Sequence, residues 1–234
     1  MSTRLDNLKD APLAFTDLET TGDVFGVNEI IEIGLVVADQ KSLEVIDELN
    51  VKIKPLYIEN VVPAALAKND YKQDDWQGAI SLQEGIEQYA QKTAGSIFFA
   101  YNATFDWGFM NEAFRQTGVE DKMDYHRFDV MSIAFIKLKD KGPKKWRLSE
   151  IAKYLGIPEE PLPHRALNGA RTALAVYQKL LEIWTKHLQR SLQMFDFSLG
   201  NIRESEKKWE KLLKDTNWQE TRDGFFEKIE NPDA

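Results

Sequence analysis

Two acids stand two residues apart at the end of a short apolar run. The run is Leu13 to Thr16, and the acids are Asp17 and Glu19 of the segment Phe15-Thr16-Asp17-Leu18-Glu19-Thr20-Thr21-Gly22. Residues i and i+2 of a strand share a face. Two carboxylates so placed repel each other unless a positive charge lies between them. Hard oxygen ligands suit Mg²⁺ or Mn²⁺; a solvated strand end bearing two acids is the other way to satisfy the same residues. A third acid, Asp106, follows Tyr101-Asn102-Ala103-Thr104-Phe105 where an apolar segment passes into a helix. It can cap that helix or face the first pair. His164 opens the segment HRALNGAR after Pro161 and Pro163. Histidine as a residue type suits proton transfer, since its unperturbed pKa lies near neutrality, although a lone histidine at such a place is more often structural. The chain has three histidines, and neither His126 nor His187 has comparable surroundings.

The elements that must hold these groups follow from periodicity. Leu13 to Thr16, Ile30 to Ala38 and Val45 to Ile53 read as strands joined by turns. Val62-Pro63 begins a helical stretch, and Leu82 to Lys92 is a helix stopped by Gly95. Ser96 to Ala100 is a short buried strand, and Phe105 to Thr117 is a helix ending at Gly118. Helices are predicted over Asp129 to Leu138, over Ser149 to Leu155, and from about His164 or Arg165 to Leu188. Strands first, then helices alternating with further strand, predict an α/β layered domain with a mixed sheet flanked by helices. The expected division is a domain over residues 1–188 and a C-terminal helical extension over 189–234, charged from Arg203 to Lys214, with a frayed tail.

Taken in order, DLETTG, NEIIEIGLVV, NATFDWGFM, LSEIAKYLGI and HRALNGARTALAVY resemble the successive motifs of the DEDDh 3′→5′ exonuclease superfamily. That superfamily includes the proofreading subunit of the bacterial replicative polymerase and ribonuclease T-type enzymes. The resemblance covers about residues 12 to 182. It implies a ribonuclease H-like fold and two divalent cations, Mg²⁺ or Mn²⁺. It implies that Asp17 bridges both ions, that Glu19 binds the first, that Asp106 holds the second directly or through water, and that His164 is the general base. The departure lies five residues after His164, where the family carries a further Asp that ligates the first ion and this chain has Gly169. A glycine offers no ligand and costs about 1 kcal/mol against alanine inside a helix. Asn168 projects about 100° away around the helix. The first cation site is therefore expected to be weakened.

The same resemblance places the substrate's terminal nucleotide near Leu18, Thr20, Thr21 and Asn102. Leu18 is equally well read as core. The segment from Lys137 to Arg147, KLKDKGPKKWR, adds a basic loop with a tryptophan in an otherwise acidic chain. Lys144 and Lys145 are its candidates for following a nucleic-acid backbone; a solvated helix end is the other reading.

Bulk properties bound the rest. The chain has 234 residues, no cysteine and a net charge of −8. No disulfide or thiolate metal site can form, and a reducing compartment fits. The charge argues against sequence-blind coating of nucleic acid. No segment approaches the roughly 20 apolar residues of a membrane span, so a cytoplasmic location is expected. The expected partner is the 3′ end of single-stranded DNA or RNA, with a homodimer or a protein partner as further options through the extension. The expected function is metal-dependent 3′→5′ exonuclease activity, weakened at Gly169. The alternative is a degenerate exonuclease fold that binds single strands or a protein without cutting.

Overall fold

The structure, a computed structural model, describes residues 8–63, 65, 76–160 and 164–200. Five strands form one mixed sheet: β1 (Leu13–Thr20), β2 (Ile30–Ala38), β3 (Val45–Lys52), β4 (Ile97–Ala100) and β5 (Arg127–Asp129). Their order is β3-β2-β1-β4-β5. β1 pairs antiparallel with β2, and β2 with β3, while β4 lies parallel to both β1 and β5. Five α-helices are described: α1 (Leu82–Lys92), α2 (Ala103–Thr117), α3 (Val130–Leu138), α4 (Leu148–Tyr154) and α5 (Ala166–Gly200).

Strand alternation sorts the side chains into two cores. Ala14 and Leu18 of β1, with Ile33, Leu35 and Val37 of β2, pack with Ile86 and Tyr89 of α1 and with Phe109 and Met110 of α2. Leu13 and Phe15, with Val36 and Ala38, pack on the other side with Val130 of α3, Ile151 of α4 and Ala170, Ala173, Leu174 and Leu180 of α5. All nine residues of β2 are buried because both of its faces are covered. In the edge strand β3 only Leu49 is buried.

Helix α5 comes unusually close to the sheet. A Cβ on Gly34 of β2 would lie 2.0 Å from the Ala166 carbonyl carbon and 2.2 Å from the Leu167 nitrogen. Only a glycine lets the first turn of α5 rest on β2. The small Ala166, Ala170 and Ala173 continue the close contact along the helix and are all buried.

Several expected boundaries shift. β1 continues four residues past Thr16, so Asp17 and Glu19 stand inside the strand and not at its end. Helix α2 starts at Ala103, and the short strand β5 had no counterpart among the expected elements. Helix α5 runs to Gly200, past the helix end expected at Leu188. Residues Met1–Glu182 form one compact unit and Ile183–Ala234 another. The charged stretch from Arg203 to Lys214 lies outside the described residues, as does most of the helical stretch expected after Pro63.

Candidate active site

Four carboxylates are positioned by three elements. The face of β1 that carries Leu13 and Phe15 toward α5 also carries Asp17 and Glu19. Asp17 reaches the first turns of α5: a Cβ on Gly169 would lie 2.3 Å from its Oδ2 and 2.6 Å from its Cγ. The aspartate carboxylate fills the space that a side chain at 169 would need. This supplies the structural reason for glycine that helix propensity alone does not.

Glu19 is buried, and directly opposite it in the antiparallel ladder stands Glu32 of β2. The register slips just beyond this pair, between Glu19 and Thr20, so that Thr20 meets Ile30. Such an irregularity re-aims side chains and recurs beside active sites. Glu32 was missed from the sequence, where it reads as one polar residue within IIEIGLVVA. It is 0% exposed, and neither of its carboxylate oxygens makes a hydrogen bond among the described residues. The Arg165 guanidinium is 4.0 Å away, and the Ala166 N–H favours the charged carboxylate. Arg165 and Lys52 both lie over the Trp76 ring, at 5.6 and 4.4 Å from its centroid. Burial pushes the Glu32 carboxyl up to about 7; Glu19 adds to the rise, while Arg165 and Lys52 oppose it.

That rise has a consequence for stability. Free in an unfolded chain the group would titrate near 4.5, so across the interval between that value and about 7 the folded protein binds the proton more tightly. Stability must then fall as pH rises through this interval, and the loss is complete above it. Without metal, the wild type is expected to lose on the order of 3 kcal/mol more than Glu32→Gln between about pH 5 and pH 8. Urea unfolding in chelator at the two pH values checks this.

Asp106 arrives from the opposite layer. It sits in the first turn of α2, is 3% exposed, and its Oδ1 accepts the Leu18 N–H at 3.1 Å. β1 pairs with β4 only as far as Phe15, so this carboxylate serves β1 beyond the end of the parallel ladder. It is not the N-cap residue of its own helix. Asn102 is the N-cap residue, in a left-handed conformation with φ 66°, and its side chain makes no cap hydrogen bond. The Asn102 and Ala103 N–H groups instead donate to Asp129 Oδ1, at 2.9 and 3.1 Å. Asp129 also caps α3 through the Met131 and Ser132 N–H groups.

The remaining candidates divide. His164 immediately precedes α5, is 37% exposed at its side chain, and has Glu160 Oε2 3.5 Å from Nδ1. Leu18 is buried in the core shared with α1 and α2. Thr20 Oγ1 donates to the Gly22 carbonyl at 2.6 Å, and Thr21 Oγ1 accepts the Glu29 N–H at 2.8 Å. Both hydroxyls hold the β1–β2 turn. Lys144 and Lys145 are exposed in the loop between α3 and α4. That loop is anchored by Trp146, whose ring packs on Phe135 and whose carbonyl accepts the Tyr101 hydroxyl at 2.8 Å. Since Tyr101 directly follows β4, the basic loop is tied to the end of the strand that leads into Asn102 and α2.

The donor chemistry fits divalent cations: carboxylates crowd one sheet face, and a buried carboxylate there lacks hydrogen bonds. Among the described residues no three acidic or imidazole groups converge on one point. Two protein carboxylates with water or phosphate oxygens match the way Mg²⁺ is commonly held. The open cleft lined by Trp107, Asn111, Arg115 and Asp121 contains none of these acids.

The profile of the exonuclease family RNase_T matches residues 14–177. The chain is 28% identical over 166 residues to the 3′-5′ DNA exonuclease Cap18 of Escherichia coli, covering 66% of this chain and 83% of that one. It is 28% identical over 164 residues to the 3′-5′ exonuclease DinG of Staphylococcus aureus strain MRSA252, covering 69% of this chain and 17% of DinG. It is 27% identical over 182 residues to the PolC-type DNA polymerase III of Thermotoga petrophila, covering 77% of this chain and 12% of the polymerase. The chain thus spans only a small part of the two larger relatives. Among solved structures, E. coli Exonuclease I in complex with a dA16 oligonucleotide superposes with a TM-score of 0.63 at 18% identity, over 74% of this chain and 41% of that one. The nuclease domain of 3′hExo, a DEDDh family member bound to rAMP, superposes with a TM-score of 0.59 at 17% identity, over 74% of this chain and 92% of that one. These likenesses establish the ribonuclease H-like exonuclease fold.

Proposed function

Because the chain belongs to the RNase_T exonuclease family, we propose that it hydrolyses phosphodiester bonds one nucleotide at a time from the 3′ end of single-stranded DNA or RNA. The observation that carries this reading is the assembly around β1. Asp17 and Glu19 share the face beneath the first turn of α5, His164 stands just before that turn, and Asp106 reaches β1 from α2. Asp17, Glu19 and Asp106 would hold Mg²⁺ or Mn²⁺. When bound, the ions supply charge neutralisation at the attacked phosphate and lower the pKa of water. The part of this chain's own groups is positioning and proton transfer. The Asp106 carboxylate is fixed by the Leu18 N–H, and His164 lies partly open to solvent, where its imidazole can accept a proton from water.

The reading is tested with 3′-labelled single-stranded DNA and RNA, with free and blocked 3′ ends, in Mg²⁺ and in Mn²⁺. Metal-dependent release of label from free ends alone is the expected result. Cleavage of blocked strands would overturn it.

A second reading has one observation in its favour: the Asp17 carboxylate lies where a Cβ at position 169 would stand, as in a site settled without its full ligand set. It describes a fold that binds single strands without cutting. Tight, metal-independent binding of the same oligonucleotides with no product in either metal would favour it.

The basic loop belongs to the nucleic-acid side of either reading, because Tyr101 ties it to the end of β4. Lys144→Ala with Lys145→Ala is expected to weaken oligonucleotide binding and to lower the slope of log affinity against log salt by about 1 to 2. An unchanged slope in a fluorescence-anisotropy salt titration would remove the loop from the binding surface. We further assign a cytoplasmic place of action to this activity. A partner bound through the C-terminal extension would engage residues 189–234, of which those after Gly200 lie outside the described residues.

A further inference from the structure

Glu32 needs an explanation that the activity above does not use. A glutamate buried to 0% exposure in the middle of an apolar strand is rare, and its usual justification is a well-made ion pair. Here the only cation at its carboxylate within ion-pair range among the described residues is Arg165, at 4.0 Å and without a hydrogen bond. A guanidinium placed to neutralise a carboxylate normally meets it in a short, often bidentate contact. What faces Glu32 directly is another acid, Glu19, its ladder partner on β1. Directly opposite residues of like charge destabilise a sheet, and burial strengthens the repulsion. Gly34, two residues on, admits the first turn of α5 onto the same face. Glu32 therefore stands behind Glu19 and beside the helix turn that carries Gly169. It adds negative charge to the region from which the family's last aspartate is missing.

Building on the proposed function, we infer that Glu32 is an outer carboxylate of the cation site, strengthening divalent-ion binding at Asp17 and Glu19 and making up part of the charge absent at Gly169. It acts through Glu19 and through the field at the site, as a positioning and charge-supplying residue that does not touch the substrate. The arrangement follows a general pattern in which groups behind a metal's ligands orient them and tune affinity.

Binding of Mn²⁺ to the full chain, measured by calorimetry without nucleic acid, tests this independently of catalysis. Glu32→Gln keeps the shape and removes the charge; it is expected to weaken Mn²⁺ binding by roughly 10-fold or more. Glu32→Asp keeps the charge and is expected to retain most of the affinity. The metal-free melting temperature of Glu32→Gln is expected not to fall, because a buried repulsion with Glu19 is relieved. Mn²⁺ affinity of Glu32→Gln within about 2-fold of wild type, equal weakening in Glu32→Gln and Glu32→Asp, or a large loss of metal-free stability in Glu32→Gln would each overturn the inference. In the first of these cases the proposed exonuclease site stands. Failure of the wild type itself to bind Mn²⁺ would sink both the inference and the metal-dependent function.

Discussion

Gly169→Asp is expected to raise Mn²⁺-dependent cleavage by roughly 10-fold or more, while lowering the stability of the metal-free protein. The two effects have one cause. A Cβ at 169 falls 2.3 Å from Asp17 Oδ2, so any side chain there must displace the aspartate. A carboxylate also adds a like charge to a face that already carries Asp17, Glu19 and Glu32. Crowding and repulsion together are expected to cost about 1–3 kcal/mol without metal. With Mn²⁺ present the added oxygen donor would complete the proposed first cation site, and groups that hold or orient a metal commonly change affinity or activity by about 10–100-fold. Gly169→Ala separates the contributions. It crowds Asp17 without offering a ligand, so the roughly 1 kcal/mol gained in helix propensity comes with reduced activity. Thermal unfolding with chelator and with Mn²⁺, set beside cleavage rates, distinguishes the three forms. A Gly169→Asp protein as inactive as Gly169→Ala would show that the missing carboxylate is not what limits this chain.

Asp17→Asn is expected to reduce cleavage by roughly 10³-fold, the size of effect seen when a preorganised electrostatic group at a reacting centre is removed. The fold should persist. Asp17 is half-buried and asparagine has its shape, whereas Leu18 beside it belongs to the core. Leu18→Ala is accordingly expected to act on stability, at about 2–5 kcal/mol. Rates under saturating substrate together with denaturant midpoints separate these neighbours. Comparable rate losses with unchanged stability in both variants would contradict the placement of Leu18 in the core.

Much of this arrangement was legible in the sequence because it rests on local periodicity. The alternation Leu13, Phe15, Asp17, Glu19 already puts the acids on one face, and the order of strands and helices already implies a layered mixed sheet. The parts that were not legible depend on contacts far apart in the chain. Asp106 is 88 residues from the Leu18 N–H that it accepts, and nothing local distinguishes that use from a helix cap. β1 was expected to stop at Thr16, since its acids interrupt the apolar run; the ladder with β2 carries it to Thr20. β5 has only three residues and owes its form to pairing with β4. Glu32 escaped notice because its significance lies in standing opposite Glu19, which no reading of β2 alone reveals. Gly169 likewise looked like a simple loss of a ligand until the position of Asp17 showed that its small size is needed. The single polar residue within IIEIGLVVA was the one local signal available, since a charge inside a strand covered on both faces requires a reason.

The most direct test is to follow a 5′-labelled single strand with the wild type in Mn²⁺ and to identify the released products by chromatography. Stepwise shortening from the 3′ end with nucleoside monophosphates as the products, abolished by chelator and by Asp17→Asn, is the expected result. Absence of any product from both the wild type and Gly169→Asp, in Mg²⁺ and in Mn²⁺, would contradict the assignment of this chain as a working exonuclease.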